Sequence, residues 1–195
     1  MVAQGGNLIA MCMPFSRNQW GNGVFDKRPL DMTEFFGVRV KEEEPVFVGK
    51  SEAEVAVGDI SIRSCFWQET LENYDAETLG VFADSYRKGD TVMTRKKNGE
   101  GYAYYLGTVP AEEGAREFFG YLLEQSNVTL PPMEVYSGIE VVTRQSKDRT
   151  YYFIFNSTDD TQEVVLKQTF KKVEDDSEVS GVLEMKAREN IVLWS

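Results

Sequence analysis

The chain has 195 residues, with 32 acidic and 21 basic side chains, a formal net charge of −11 and no histidine. That balance argues against nucleic-acid binding, which needs clustered Lys and Arg, and against docking on anionic membranes. The missing histidine removes the commonest general base and the commonest zinc ligand, and it rules out a Ser-His-Asp or Cys-His mechanism within these residues. Hydrophobic residues make up 42% and charged residues 27%, as in an ordinary folded protein of one domain or two small ones. No stretch approaches the ~18 apolar residues of a membrane-spanning helix. The start, Met1 to Gly6, has no basic region ahead of its apolar run, so it does not read as a signal peptide. Cys12 and Cys65 lie among apolar residues without metal-ligand spacing; they read as buried reduced thiols, and a cytoplasmic setting is expected.

Leu8 to Met13 is a nearly continuous apolar run, the pattern of a strand covered on both faces. Opening almost on such a strand predicts that the natural domain begins further upstream. A long connection follows from Pro14 to Arg28, rich in Asn, Gly and aromatics (Phe15, Trp20, Phe25), and connections of that length are usually functional or interface-forming. Pro29-Leu30-Asp31 starts a short helix through Phe36, with Gly37 as its C-cap. Val38 to Lys41 and Val46 to Val48 alternate as strands, and Glu42-Glu43-Glu44 between them reads as a solvated turn. Short strands are predicted at Glu54 to Val57, Asp59 to Ile62, Cys65 to Trp67, Leu79 to Phe82 and Thr91 to Thr94. Asn98-Gly99 is a hairpin signal, and Tyr102 to Leu106 a buried strand.

The clearest helix has Pro110 at its entry and ends near Asn127, with Glu112 and Glu113 in the first turn, where the helix dipole favours acids. Ala115, Phe118, Phe119, Leu122 and Leu123 recur at helical spacing and read as its core face. Thr129-Leu130-Pro131-Pro132 breaks the pattern and marks a domain boundary. Beyond it the candidates are all strands: Ile139 to Thr143, Tyr151 to Phe155, Glu163 to Leu166, Val182 to Met185 and Ile191 to Trp194. Closely spaced strands with polar turns predict a small antiparallel sandwich.

Glycoside hydrolysis needs two carboxylates across the scissile bond, but with 32 acids pairs arise by chance, and none is singled out here. Gly99 and Gly101 form only a short G-x-G without the strand-to-helix context of a dinucleotide site. Cys12, flanked by Met11 and Met13, has neither the glycine-flanked elbow nor the histidine of a nucleophile and reads as a core thiol. Asn127-Val128-Thr129 and Asn156-Ser157-Thr158 match glycosylation acceptors. Trp20, Phe25, Trp67, Tyr74 and Tyr104 are candidates for stacking on sugars, Trp20 foremost because it sits in the long polar connection.

Several segments, in order, resemble the glycoside hydrolase family 42 β-galactosidases. Gly5-Gly6-Asn7-Leu8-Ile9 is similar to the "GGtLv" strand of that family's middle domain, and Ser16 to Asn22 to its "sG-kdenN" loop. Leu30 through Glu42 resembles the "pLrelfGvrveE" pattern, and Trp67-Gln68-Glu69 with Leu71-Glu72 the "W-e-Le" strand. Gly99-Glu100-Gly101 through Thr108 is similar to the "yGkG-a-Y-gT" segment. Gly138 to Arg144 and Tyr152 to Asn156 resemble the "gvev-R" and "flfN" strands of the C-terminal domain. The likeness runs along nearly the whole chain and departs most in the loop, where the family's acids and asparagines have become Arg17-Asn18-Gln19-Trp20.

The resemblance implies a partial middle domain over 1–130, used for trimerisation and carrying an amidotransferase-like (flavodoxin-like) α/β fold. A C-terminal β-sandwich over 131–195 follows it. In such enzymes the catalytic glutamates lie in an N-terminal (β/α) barrel, so no catalytic, cofactor-binding or metal residue carries over. The expected role is oligomerisation and support of that barrel, and the expected partners are a barrel-bearing chain or a homotrimer of the chain itself. Arg17, Asn18, Trp20 and Asn22 are the candidates for a subunit-interface or sugar contact. A stand-alone carbohydrate-binding module that takes galactosides is the second reading, and an independent small enzyme the third.

Overall fold

The computed structural model describes residues 1–23, 28–47, 49–126 and 128–195. They divide into two compact units, Met1–Asn127 and Val128–Ser195. No helix among them is long and apolar enough to cross a membrane.

The first unit is built on one eight-stranded sheet. Its strands are β1 (Asn7–Met11), β2 (Val38–Pro45), β3 (Glu54–Val57), β4 (Ile60–Asn73), β5 (Glu77–Phe82), β6 (Thr91–Asn98), β7 (Gly101–Leu106) and β8 (Thr108–Pro110). The order is β1-β7-β6-β5-β3-β4-β2, with β8 on β4. Only β1 and β7 run parallel; the other described pairs are antiparallel. The two α-helices are the short α1 (Thr33–Phe36) and α2 (Glu112–Gln125). This unit is therefore β-rich, and helices on both faces of a parallel sheet, the mark of a flavodoxin-like fold, are not seen among the described residues.

Several local expectations are met, and several are corrected. Gly37 caps α1 at φ +70°, where a side chain would also meet Asp75 and Lys96. The Asn98-Gly99 turn joins β6 to β7. Glu42, Glu43 and Glu44 are not a turn: they continue β2 along the register of Gln68 to Thr70 on β4. β-Pairing across this edge overrides the like-charge run because the strand leaves most of those side chains in water. Asp59 to Trp67 is not two short strands but one, β4, which bends where Phe66 takes φ +62° and the register against β8 slips. Pro110 ends β8, and α2 begins at Glu112 with Ala111 as its N-cap. Only Phe118 and Leu122 of its apolar face are buried; Phe119 and Leu123 stay exposed. Leu8 and Ile9 on β1 are also exposed, although the apolar run predicted cover on both faces. Val48, Phe25 and Asn127 lie outside the described residues.

Two apolar clusters sit in this unit. The larger joins Val55, Val57, Ile62, Phe82, Met93, Tyr104 and Leu106 with Phe118 and Leu122 of α2. The smaller gathers Phe36, Val38, Leu71, Ala103 and Tyr105 around α1.

The second unit is antiparallel throughout, with β9 (Met133–Glu134), β10 (Ile139–Gln145), β11 (Thr150–Asn156), β12 (Gln162–Lys172), β13 (Glu178–Met185) and β14 (Asn190–Trp194). All six share one hydrogen-bonded sheet, ordered β10-β11-β14-β12-β13 with β9 on β12. The long strand β12 makes this continuity possible. It pairs with β13 along its length, breaks register between Leu166 and Phe170, and meets β14 at Lys171 and Lys172. Tyr152, Ile154, Val164, Phe170, Leu183, Met185 and Leu193 fill the core between these strands.

Candidate functional site

Arg17, Asn18, Trp20 and Asn22 fall together in one small hairpin. Arg17 and Gly23 form an isolated antiparallel bridge. The Asn18 carboxamide accepts from the amides of Trp20 and Asn22, both at 3.0 Å, and the Arg17 guanidinium donates to the Gly21 carbonyl at 2.8 Å. Asn and Arg therefore act as the hairpin's internal scaffold, the turn-closing role short polar side chains fill well. Trp20 is left at the tip with 75% of its surface exposed. The turn's own hydrogen bonds hold the backbone that carries this indole, and an indole has only two χ angles to fix on binding.

Of the other aromatics named from sequence, Tyr104 is fully buried and cannot meet a sugar. Trp67 is half-buried and donates its indole N–H to Glu43 at 3.3 Å. Tyr74 is exposed and borders a shallow cleft of about 510 Å3 with Glu34, Gly37, Arg39, Asp75 and Lys96. Within that cleft Lys96 is already neutralised by Asp75 at 2.8 Å, and the Arg39 guanidinium covers the Tyr74 ring at 5.4 Å.

The residues that flank the hairpin in sequence, Met13 and Arg28, meet in a buried ionic centre that sequence reasoning did not select. Glu69 on β4 has no exposed side-chain surface. Its Oε1 accepts from the Met13 amide at 2.9 Å and from Arg28 Nη1 at 3.1 Å, while its Oε2 accepts from the Tyr105 hydroxyl at 2.8 Å. Arg28, itself 6% exposed, also pairs with Glu43 of β2. Its carbonyl accepts from the Val40 amide at 2.9 Å. Buried charges persist where partners of this kind satisfy them.

Three distant segments build this centre. Gly107 lies against Glu69 so closely that a Cβ there would come within 2.5 Å of the Glu69 carbonyl. Thr108 donates to the Trp67 carbonyl at 2.6 Å. Phe36 packs edge-on to Tyr105 with ring centroids 5.5 Å apart, and the Phe15 ring lies tilted against Phe36 at 5.9 Å. Met13, Arg28 and Tyr105, far apart in sequence, thus meet around one carboxylate, with Phe36 packed behind Tyr105. Sequence pattern hides Glu69 because it sits in a polar run, Gln68-Glu69-Thr70, with no apolar alternation to mark burial.

Burial raises the proton affinity of Glu69, opposed by the Met13, Tyr105 and Arg28 contacts. Burial, reinforced by the Glu69 carboxylate, raises the Tyr105 hydroxyl. The same two causes push the Cys12 thiol up to about 11. A thiol so placed stays protonated near neutrality and is no nucleophile. Burial likewise raises Cys65. No group of three or more acidic or thiol side chains among the described residues is placed to hold a metal ion. The Asn156 acceptor sequence is also closed to glycosylation in the folded chain: Asn156 is 3% exposed and its amide donates to the carbonyls of Asp160 and Lys186, both at 2.8 Å.

Comparison with known proteins places the chain. Residues 1–129 match the family model for the β-galactosidase trimerisation domain, and residues 138–193 match that for the β-galactosidase C-terminal domain. Beta-galactosidase LacZ of Heyndrickxia coagulans is 30% identical over 141 residues, which are 72% of this chain and 21% of that protein. Beta-galactosidase GalA of Bacillus licheniformis is 26% identical over 172 residues, 87% of this chain and 25% of the relative. The crystal structure of beta-galactosidase from Bacillus circulans sp. alkalophilus superposes with a TM-score of 0.78 at 21% identity, covering 99% of this chain and 29% of that one. That likeness shows the fold. The chain thus spans about a quarter of the length of these curated relatives.

Proposed function

The chain belongs to the glycoside hydrolase family 42 β-galactosidases, and from that premise we propose that these residues are a non-catalytic part that drives oligomerisation and supports the catalytic barrel. The match of residues 1–129 to a trimerisation domain carries this reading. The whole enzyme would hydrolyse terminal β-D-galactosides. These residues would supply no acid, base or nucleophile, and their partners would be a barrel-bearing chain or two further copies of the same chain. The amidotransferase-like description of the first unit belongs to this proposal too, with the parallel β1–β7 pair as its support. The exposed Trp20 hairpin, with Arg17, Asn18 and Asn22 inside it, is the contact surface we assign to that role.

The test is to assay nitrophenyl β-galactoside hydrolysis by the 195-residue chain alone, by a family 42 barrel alone, and by the two mixed. The proposal expects no turnover from the chain alone and a gain in activity or thermal half-life for the barrel when the chain is added. Turnover by the chain alone, with a bell-shaped pH profile, would sink it.

The second reading, a carbohydrate-binding module, is favoured by one observation, the indole of Trp20 standing 75% exposed at the tip of a hydrogen-bonded turn. Aromatic faces of that kind stack on sugar rings. Calorimetric titration with galactosides decides it: saturable heat that disappears in Trp20→Ala supports a module, and a flat titration ends it.

A further inference from the structure

Glu69 is bonded to both residues that flank the Trp20 hairpin in sequence. Met13, before the hairpin, gives its amide to Oε1 at 2.9 Å; Arg28, after it, gives Nη1 to the same oxygen at 3.1 Å. We propose that Glu69 is the positioning residue of the hairpin: a carboxylate clasp that holds Met13 and Arg28, which flank the hairpin in sequence, and so limits where Trp20 is presented to a partner. This deepens the contact-surface role assigned above and rests on that reading for its functional consequence, though not for the clasp itself.

Four observations support the clasp. The carboxylate sits on β4, so Met13 and Arg28 are tied to the most extensively paired strand of the unit. Its second oxygen is held by Tyr105 at 2.8 Å, which fixes the carboxylate plane and leaves Oε1 for the two flanking residues. The Met13 backbone takes φ +57°, a left-handed conformation that costs free energy for a side-chain-bearing residue and persists only where contacts enforce it; the bond to Glu69 is such a contact. Arg28 is held from a second side by Glu43 of β2, so its guanidinium bridges an edge strand and the buried carboxylate. A well-packed apolar pair would seal a core as well; a guanidinium shared between two carboxylates adds direction. The groups facing Glu69 are Arg28, Tyr105 and the Cys12 thiol, and burial raises the affinity of Glu69 for a proton against the pull of Arg28.

The experiment measures local opening of the hairpin separately from global unfolding, in the full chain. Trypsin cleavage after Arg17 under native conditions is followed by mass spectrometry for wild type, Glu69→Gln, Arg28→Gln and the double variant, with thermal midpoints recorded alongside. Cleavage within a folded protein tracks the population of the locally open form. Losing one charge-assisted bond raises that population roughly tenfold. Each single variant is therefore expected to be cut about tenfold faster, the double variant no faster than the singles, and the midpoint is expected not to fall in step. Arg28→Lys, which keeps the charge and loses the fork, should lie between and serves if Glu69→Gln does not fold. Unchanged cleavage, or additive single effects that follow the thermal midpoint, overturns the clasp. Faster cleavage together with weakened self-association supports the whole proposal. Faster cleavage with association intact supports the clasp and overturns the reading of the hairpin as a contact surface.

Discussion

The two units bury different chemistry. Among the described residues the first buries Arg28, Ser64, Gln68, Glu69, Thr70, Arg87, Thr94 and Thr108 beside its apolar clusters, whereas the second buries a single polar side chain, Asn156. The Arg87 guanidinium is 2% exposed and is held by Glu44 at 3.3 Å and by the Tyr86 and Phe82 rings. Buried charge rarely adds stability over a well-packed apolar equivalent. A unit that retains several such groups has its loops and edges fixed in particular places. A unit that retains one has a core set mainly by packing. The first unit's buried charges accord with the contact role proposed for it, and the second is a compact β unit whose main polar device is a loop staple.

The comparison can be broken or sharpened by substitution. The largest effect is expected from apolar deletion in either unit. Phe118→Ala should cost about 3–5 kcal/mol and Ile154→Ala about 2–5 kcal/mol by urea unfolding, because both side chains are fully buried. Next comes Asn156→Ala. It strips the donors from the Asp160, Met185 and Lys186 carbonyls and the acceptor from Thr158. About 2–3 kcal/mol is expected from leaving buried groups unpaired, and a smaller loss would mean that water takes the amide's place.

Glu69→Gln is smaller and depends on pH, with a sign that follows from burial. The proton affinity of Glu69 is raised in the folded chain, so folding binds a proton more tightly than the unfolded state does. The contribution of this group therefore favours folding as pH falls through the raised value and opposes it as pH rises through that value. The Gln variant lacks that dependence. Its stability relative to wild type should be greatest near pH 7 and should decline on acidification into the ordinary carboxylate range of about pH 4. Urea titrations at several pH values check this; a difference that grows on acidification would mean that pairing with Arg28 outweighs burial. Arg188→Ala, which removes an exposed pair with Asp159, should change stability by no more than about 0.5 kcal/mol.

Much of this structure is legible in the sequence where a local rule acts. Gly37 as a cap, Asn98-Gly99 as a hairpin and the strands of the second unit follow from turn chemistry and alternation. Elsewhere pairing between distant segments decides. The Glu42-to-Glu44 run looks like a solvated turn and becomes a strand because β4 supplies the ladder. The single long β4 was hidden by its bend at Phe66. The apolar face of α2 was legible as a face but not in how much of it is covered, since Phe119 and Leu123 remain outside. At the candidate site, Arg17, Asn18, Trp20 and Asn22 are found together as one hairpin, and the turn chemistry of Asn18 explains why. Glu69 was not legible as a centre: it is one of 32 acids, and only the fold brings Met13, Arg28 and Tyr105 to it. Tyr104, proposed as a sugar platform, is core instead, because its register on β7 points it into the cluster shared with α2.

The most direct test of the account is sedimentation velocity of the 195-residue chain and its Trp20→Ala variant across a concentration series. The account predicts that the wild type sediments above its monomer mass of 22.2 kDa, approaching three copies with rising concentration, while Trp20→Ala stays folded and shifts towards the monomer. Two monomeric chains, or two that assemble equally well, would contradict the assignment of the Trp20 hairpin as the surface through which these residues do their work.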